Sequence, residues 1–86
     1  MSRIKNIGPK SESWLNDIGI FTVDDVEAIG VVEIYRRLKL SRPTISLVML
    51  YALQGAVMDM HWQEIPNDVR EDLIAKAKAA LEEDVT

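Results

Sequence analysis

Apolar residues in this chain recur three and four positions apart, and nowhere do they alternate as in a half-buried strand. Gly8-Pro9 is a turn signal, and Pro9 suits a first helical position, where its missing N–H costs nothing. A short helix is predicted over 9–17, with Trp14, Leu15 and Ile18 facing inward. Gly19 stands where a helix ends on a positive φ. Thr22 is a good N-cap, and Asp25 three residues later resembles a capping box, with Asp in place of the usual Glu. Val23, Val26 and Ile29 form the inner stripe of a second helix that Gly30 ends. Val31, Ile34, Tyr35 and Leu38 do the same for a third over 31–40. Ser41-Arg42-Pro43 breaks it, because the residue before proline resists helix.

The fourth helix is predicted over 44–60, capped by Thr44 or Ser46. Its apolar residues cover nearly the whole circumference, the pattern of a central helix packed on several sides. Gly55 in its interior costs about 1 kcal/mol relative to alanine, which implies close approach by a neighbouring helix or aromatic ring. His61 to Ile65 form a connector, and Pro66 opens the last helix. Val69, Leu73, Ile74, Ala77 and Leu81 are its inner stripe, and its last residues are expected to fray. The fold class is all-α: a compact bundle of about five helices, in a helix-hairpin-helix or SAM-like arrangement, around the central apolar helix 44–60.

Composition narrows the class. With 86 residues, 1–86 is expected to be one domain, and 48% hydrophobic residues suffice for a true core. Cysteine is absent, so no disulfide or thiolate metal site contributes. The apolar segment Ile45 to Met60 is too short and too interrupted to span a membrane, and the N-terminus has no signal-peptide pattern. A cytoplasmic location, with no membrane partner, is the expectation.

The net charge of −4 argues against a strong nonspecific grip on nucleic acid. The positive charges are nonetheless grouped: Arg3, Lys5 and Lys10 near the start, then Arg36, Arg37, Lys39 and Arg42. Catalytic chemistry needs convergent polar groups, and none is legible. His61 is the only histidine and reads as a packing or capping residue beside Trp62. No second ligand lies one turn from it, Ser11 and Ser13 lack a paired base, and no phosphate-binding loop or dinucleotide fingerprint is present. The expectation is a non-enzyme without cofactor or metal. Trp14 and Trp62 adjoin inward stripes and read as core residues.

The stretch from Ile4 to Leu15, continued by Ile18-Gly19-Ile20 and Thr22-Val23, resembles the helix-hairpin-helix motif of DNA repair and replication proteins. In that motif a tight glycine turn and the following helix N-terminus face a phosphate. Here Gly8 takes the second glycine position and Asn6 the first, asparagine being tolerant of a left-handed conformation. Glu12 falls where the motif has a small residue. The candidate nucleic-acid contacts are Asn6, Ile7, Gly8 and Lys10, assisted by Arg36, Arg37, Lys39 and Arg42.

Longer blocks carry a more specific likeness. They are Asn6-Ile7-Gly8-Pro9-Lys10-Ser11 with Trp14-Leu15, Tyr35-Arg36-Arg37-Leu38, Leu50-Tyr51-Ala52-Leu53 with Gly55-Ala56, and His61-Trp62 with Ile65-Pro66. In order and spacing the chain resembles the C-terminal domain of the TfoX/Sxy family of bacterial competence regulators. The resemblance implies a role in regulating genes for DNA uptake, as a co-activator beside a DNA-bound transcription factor. It implies a protein partner, either transcription machinery or a regulator, with direct DNA contact as a second candidate. The regulators carry a further N-terminal domain, so the sequence from Met1 is expected to be a stand-alone relative or part of a longer regulator. The competing expectation is a protein-interaction or oligomerisation domain without DNA binding, suggested by the apolar excess on 45–60.

Overall fold

The computed structural model describes residues 4–83, with the side chain of Glu83 left out. Arg3 of the first basic group and the expected fraying beyond Glu83 therefore lie outside the described residues. Among the described residues the elements are five α-helices and one short 3₁₀ turn, without a strand. They are α1 (Pro9–Asp17), α2 (Val23–Ile29), α3 (Val31–Ser41), α4 (Leu47–Val57), the turn Trp62–Glu64, and α5 (Asn67–Glu83).

Helix ends follow from local chemistry. Gly19 adopts φ 84°, the left-handed value anticipated for it. The Ile20 N–H donates to the Leu15 carbonyl at 2.9 Å and the Gly19 N–H to Asn16 at 3.0 Å. This pair of reversed bonds is the Schellman termination, and it sets Ile20 against Leu15, both fully buried. Thr22 and Asp25 form the reciprocal capping box: the Asp25 N–H donates to Thr22 Oγ1, and Asp25 Oδ2 accepts the Thr22 N–H. Asp25 Oδ2 also accepts the Phe21 N–H, and that bond is the main cause holding the carboxyl below its ordinary pKa. Gly30 ends α2 and begins α3 at once. The last helix begins at Asn67, not Pro66; the Pro66 carbonyl accepts the Arg70 N–H, so the proline sits one position before the helix.

The fourth helix is shorter than 44–60. Thr44 and Ile45 belong to the loop, and Ser46 stands at the N-cap without a side-chain hydrogen bond. Its far end closes with the same Schellman pair as α1. Met60 N–H returns to the Gly55 carbonyl and Asp59 N–H to Ala56, with Asp59 left-handed at φ 54°. Glycine is the usual occupant of that position because a Cβ is strained there. Asp59→Gly is therefore expected to stabilise the fold by about 1 kcal/mol in urea unfolding, since only an exposed 3.8 Å pair with Lys5 is lost. An unchanged or lowered midpoint would contradict this.

α4 contacts α2, α3, α5 and the 3₁₀ turn, and α3 contacts α2, α4 and α5. The core is built from Leu15, Ile20, Val26, Ile34, Leu38, Leu50 and Leu53, joined by Ile4 from the N-terminal turn. All four expected inner residues of α3 are buried; of the α5 stripe, Leu73 and Ala77 are buried and Val69, Ile74 and Leu81 partly so. The sheath around α4 is incomplete, however. Leu47 and Val48 on its first turn are 39% and 45% exposed, so an apolar circumference does not mean full burial here.

Gly55 is the point of closest packing. A Cβ built on it would lie 2.6 Å from Asn6 Nδ2, 2.8 Å from the Met60 carbonyl oxygen and 3.3 Å from Trp62 Cα. The anticipated close approach exists, but a side-chain amide and passing backbone make it, not a neighbouring helix or an aromatic ring.

Candidate nucleic-acid and protein interface

The N-terminal turn carries Asn6 at φ 71°, the left-handed conformation expected of it. Its side chain points inward, and Nδ2 donates to the Met60 carbonyl at 2.9 Å and to the Ala52 carbonyl at 3.4 Å. Asn6 thus ties the first turn to the interior of α4 at Ala52 and to the turn after it at Met60. Ile7 is buried, whereas Gly8 and Lys10 are exposed. Gly8 is the N-cap of α1, and its carbonyl accepts the Glu12 N–H. The N–H groups of the first turn precede that bond, as at any helix start, and are left for other acceptors.

The second basic group is largely spoken for within the chain. Arg36 and Arg37 both pair with Glu33, at 2.6 and 2.7 Å. Lys39 Nζ donates to the Pro43 and Ile45 carbonyls, closing the loop after α3. Arg42 pairs with Asp17 at 3.3 Å. The guanidiniums of Arg36 and then Arg37 draw the Glu33 carboxyl from its ordinary 4.5 down to about 2. A carboxyl depressed in the folded state contributes stability that is present above about pH 4.5 and is lost as pH falls toward 2. Glu33 is one-third exposed, so solvent screens the pair and the contribution is about 1 kcal/mol. Glu33→Gln is expected to flatten the acid limb of the stability profile in that window; an unchanged limb would refute the pairing.

The fold brings part of the two basic groups together at Trp14. Lys10 Nζ lies 5.6 Å from the Trp14 ring centroid, and the Arg42 guanidinium carbon 5.0 Å from it. Both are within reach of a cation–π attraction. The ring packs against the core as expected, but it is only partly buried, and it borders a cleft of about 240 Å³. Asn6, Ile7 and Ser11 form one wall; Thr44, Ile45 and Ser46 form the facing one. Val48, Met49 and Ala52 of α4 complete it. Of the residues expected to contact nucleic acid only Asn6 and Ile7 line this cleft; Lys10 and Arg42 adjoin it through the Trp14 ring, and Gly8, Arg36, Arg37 and Lys39 do not line it. From the sequence Thr44 was expected only as a helix cap, and Ser11 and Val48 were given no part in binding. One signal was available: Lys10 and Trp14 are four apart, which puts the cation over the ring on one helix face. Arg42 had no such signal, since it arrives from a distant loop.

His61 caps, as expected: its Nδ1 accepts the Gln63 N–H at 3.2 Å, and its ring stacks on Trp62 at 5.9 Å. Arg70 holds the same turn by donating to the Trp62 and Gln63 carbonyls while lying over the Tyr51 ring. No group of three metal-ligating side chains occurs among the described residues. None of the helices there is long and apolar enough to cross a membrane.

Among the described residues, five helices without a strand, preceded by a turn that leads to exposed Gly8 and Lys10, define a small all-helical domain. The chain belongs to the TfoX C-terminal domain family, which it matches over residues 1–77. It is similar to the crystal structure of a protein of unknown function from Listeria monocytogenes in a tetragonal form. That match has 26% identity and a TM-score of 0.81, and covers 92% of this chain and 98% of that one. An uncharacterized protein from Listeria monocytogenes in a triclinic form matches with 26% identity and a TM-score of 0.80, covering 90% of this chain and 88% of that one. No curated protein matches the chain significantly.

Proposed function

We propose that this chain is a non-enzymatic regulatory module of the competence-regulator type, acting by binding a protein partner in transcription control of DNA-uptake genes. The observation that carries the reading is membership of the TfoX C-terminal domain family across most of the chain. The engagement of the chemically capable side chains supports the non-enzymatic part. His61 caps a turn, Asp25 caps a helix and Glu33 serves two arginines. The partner is transcription machinery or a DNA-bound regulator, met in the cytoplasm. Removing the chain from its native cell is expected to lower transcripts of DNA-uptake genes and the frequency of transformation. Unchanged transcripts would refute the regulatory reading.

Direct DNA contact is a second reading, favoured by the exposed α1 start at Gly8 with Lys10 beside it. Its expected result is a gel shift that weakens with salt and weakens further in Lys10→Glu. Salt-insensitive binding, or no effect of the substitution, removes this version. A third reading is self-association through the bare first turn of α4. A clean monomer in sedimentation at micromolar concentration would remove it.

A further inference from the structure

We infer that the cleft beside Trp14 docks a linear segment of a protein partner, one that inserts a single large apolar side chain and sets a neighbouring carboxylate against Lys10 and Arg42. The inference rests on reading the chain as a protein-binding module, and names the chemistry that module recognises.

Size comes first. At about 240 Å³ the cleft is smaller than the roughly 300–1,000 Å³ of small-molecule pockets, and suits one anchoring side chain. Its base is apolar: Ile7, Ile45, Met49 and Ala52 are buried there, and Val48 stands exposed at the lip. An apolar anchor would cover that lip, which nothing described in the chain covers.

Charge decides the rest. The chain is net acidic at −4, yet two cations that lie outside the cleft's own lining converge on the tryptophan that borders it. Lys10 makes no ion pair with any described residue, and Arg42 has only an exposed 3.3 Å pair with Asp17, weak enough to exchange for an incoming carboxylate. Charge-assisted bonds from lysine and arginine are strongest to such an oxyanion. Two cations are few for a duplex backbone, whose binding scales with the phosphates neutralised, and the apolar base offers a phosphate nothing.

The test is a selection of random short displayed peptides on the full chain. Enriched peptides are expected to share one large apolar residue adjacent to Asp or Glu. The best of them should bind about tenfold or more weakly to Lys10→Glu and to Val48→Asp. Both positions are exposed, and an acid near the α1 start favours the helix, so unchanged melting curves will accompany the loss. Repeating the selection on the Lys10→Glu, Arg42→Glu double variant should return basic flanks. No enrichment, enrichment without acidic flanks, or binding unaffected by both single variants overturns the proposal. So does displacement of the peptides by duplex DNA, or a self-association that Val48→Asp abolishes, which would give the cleft to a second copy. The transcript experiment above is independent of every arm, so the regulatory reading and this cleft can fail separately.

Discussion

Leu53→Ala is expected to remove about 3 kcal/mol of folding stability. Leu53 is fully buried in the cluster that joins all five helices, so its removal forfeits transfer energy and leaves a cavity its neighbours cannot fill. A domain of this size holds on the order of 5–10 kcal/mol in total, so the variant should lose a large share of it and melt well below the wild type. The informative control lies on the same helix. Leu47→Ala removes the same atoms from a position 39% exposed, and is expected to change stability by no more than about 0.5 kcal/mol. Urea unfolding of the pair tests the placement of α4 directly. Equal losses would mean that its first turn is covered and the packing described here is wrong.

Gly55→Ala is expected to destabilise by about 2 kcal/mol, against the direction of helix propensity. In an open helix that substitution gains about 1 kcal/mol. Here the new methyl would stand 2.6 Å from Asn6 Nδ2 and 2.8 Å from the Met60 carbonyl. Asn6 can swing aside, but it then abandons its bonds to Met60 and Ala52 and leaves the Met60 carbonyl short of a donor. The Met60 carbonyl is backbone and is held by the Schellman closure of α4, so it yields only at the cost of that turn. Thermal unfolding should show a fall of roughly 10 °C. A stabilised variant would show that the two segments are not in contact. In an Asn6→Ala background the penalty is expected to shrink without vanishing, because the backbone clash remains.

Much of this fold was legible residue by residue. Gly8-Pro9 and Gly19 bounded α1 correctly, Thr22 with Asp25 formed the expected cap, and Val31, Ile34, Tyr35 and Leu38 turned inward together. Each of these rests on chemistry within four or five neighbours, which a linear reading contains. The end of α4 was misplaced because its terminator is an aspartate in a left-handed conformation, for which the sequence carries no glycine signal. Trp14 was expected in the core because it adjoins an inward stripe, and it does pack against the core without being fully covered. It is half-buried because its helix lies at the edge of the bundle, where periodicity says which face turns inward and nothing of how completely it is covered.

The candidate site divides along the same line. Asn6 was expected to be left-handed and is, yet the direction of its amide depended on where Met60 and Ala52 came to rest. Lys10 beside Trp14 is a one-turn relation already written in their spacing, whereas Arg42, at the end of α3, reaches the same ring from a segment remote in the chain. The linear order of residues determined the helical class, the caps, the inner stripes and the family likeness, because these depend on short-range backbone bonding and on periodicity. Tertiary packing alone decided which apolar faces stay bare, which cations are spent on internal partners, and that Lys10 and Arg42 meet over the tryptophan that borders a cleft. Those outcomes depend on distances between segments remote in the chain, and such distances are set only when the helices pack.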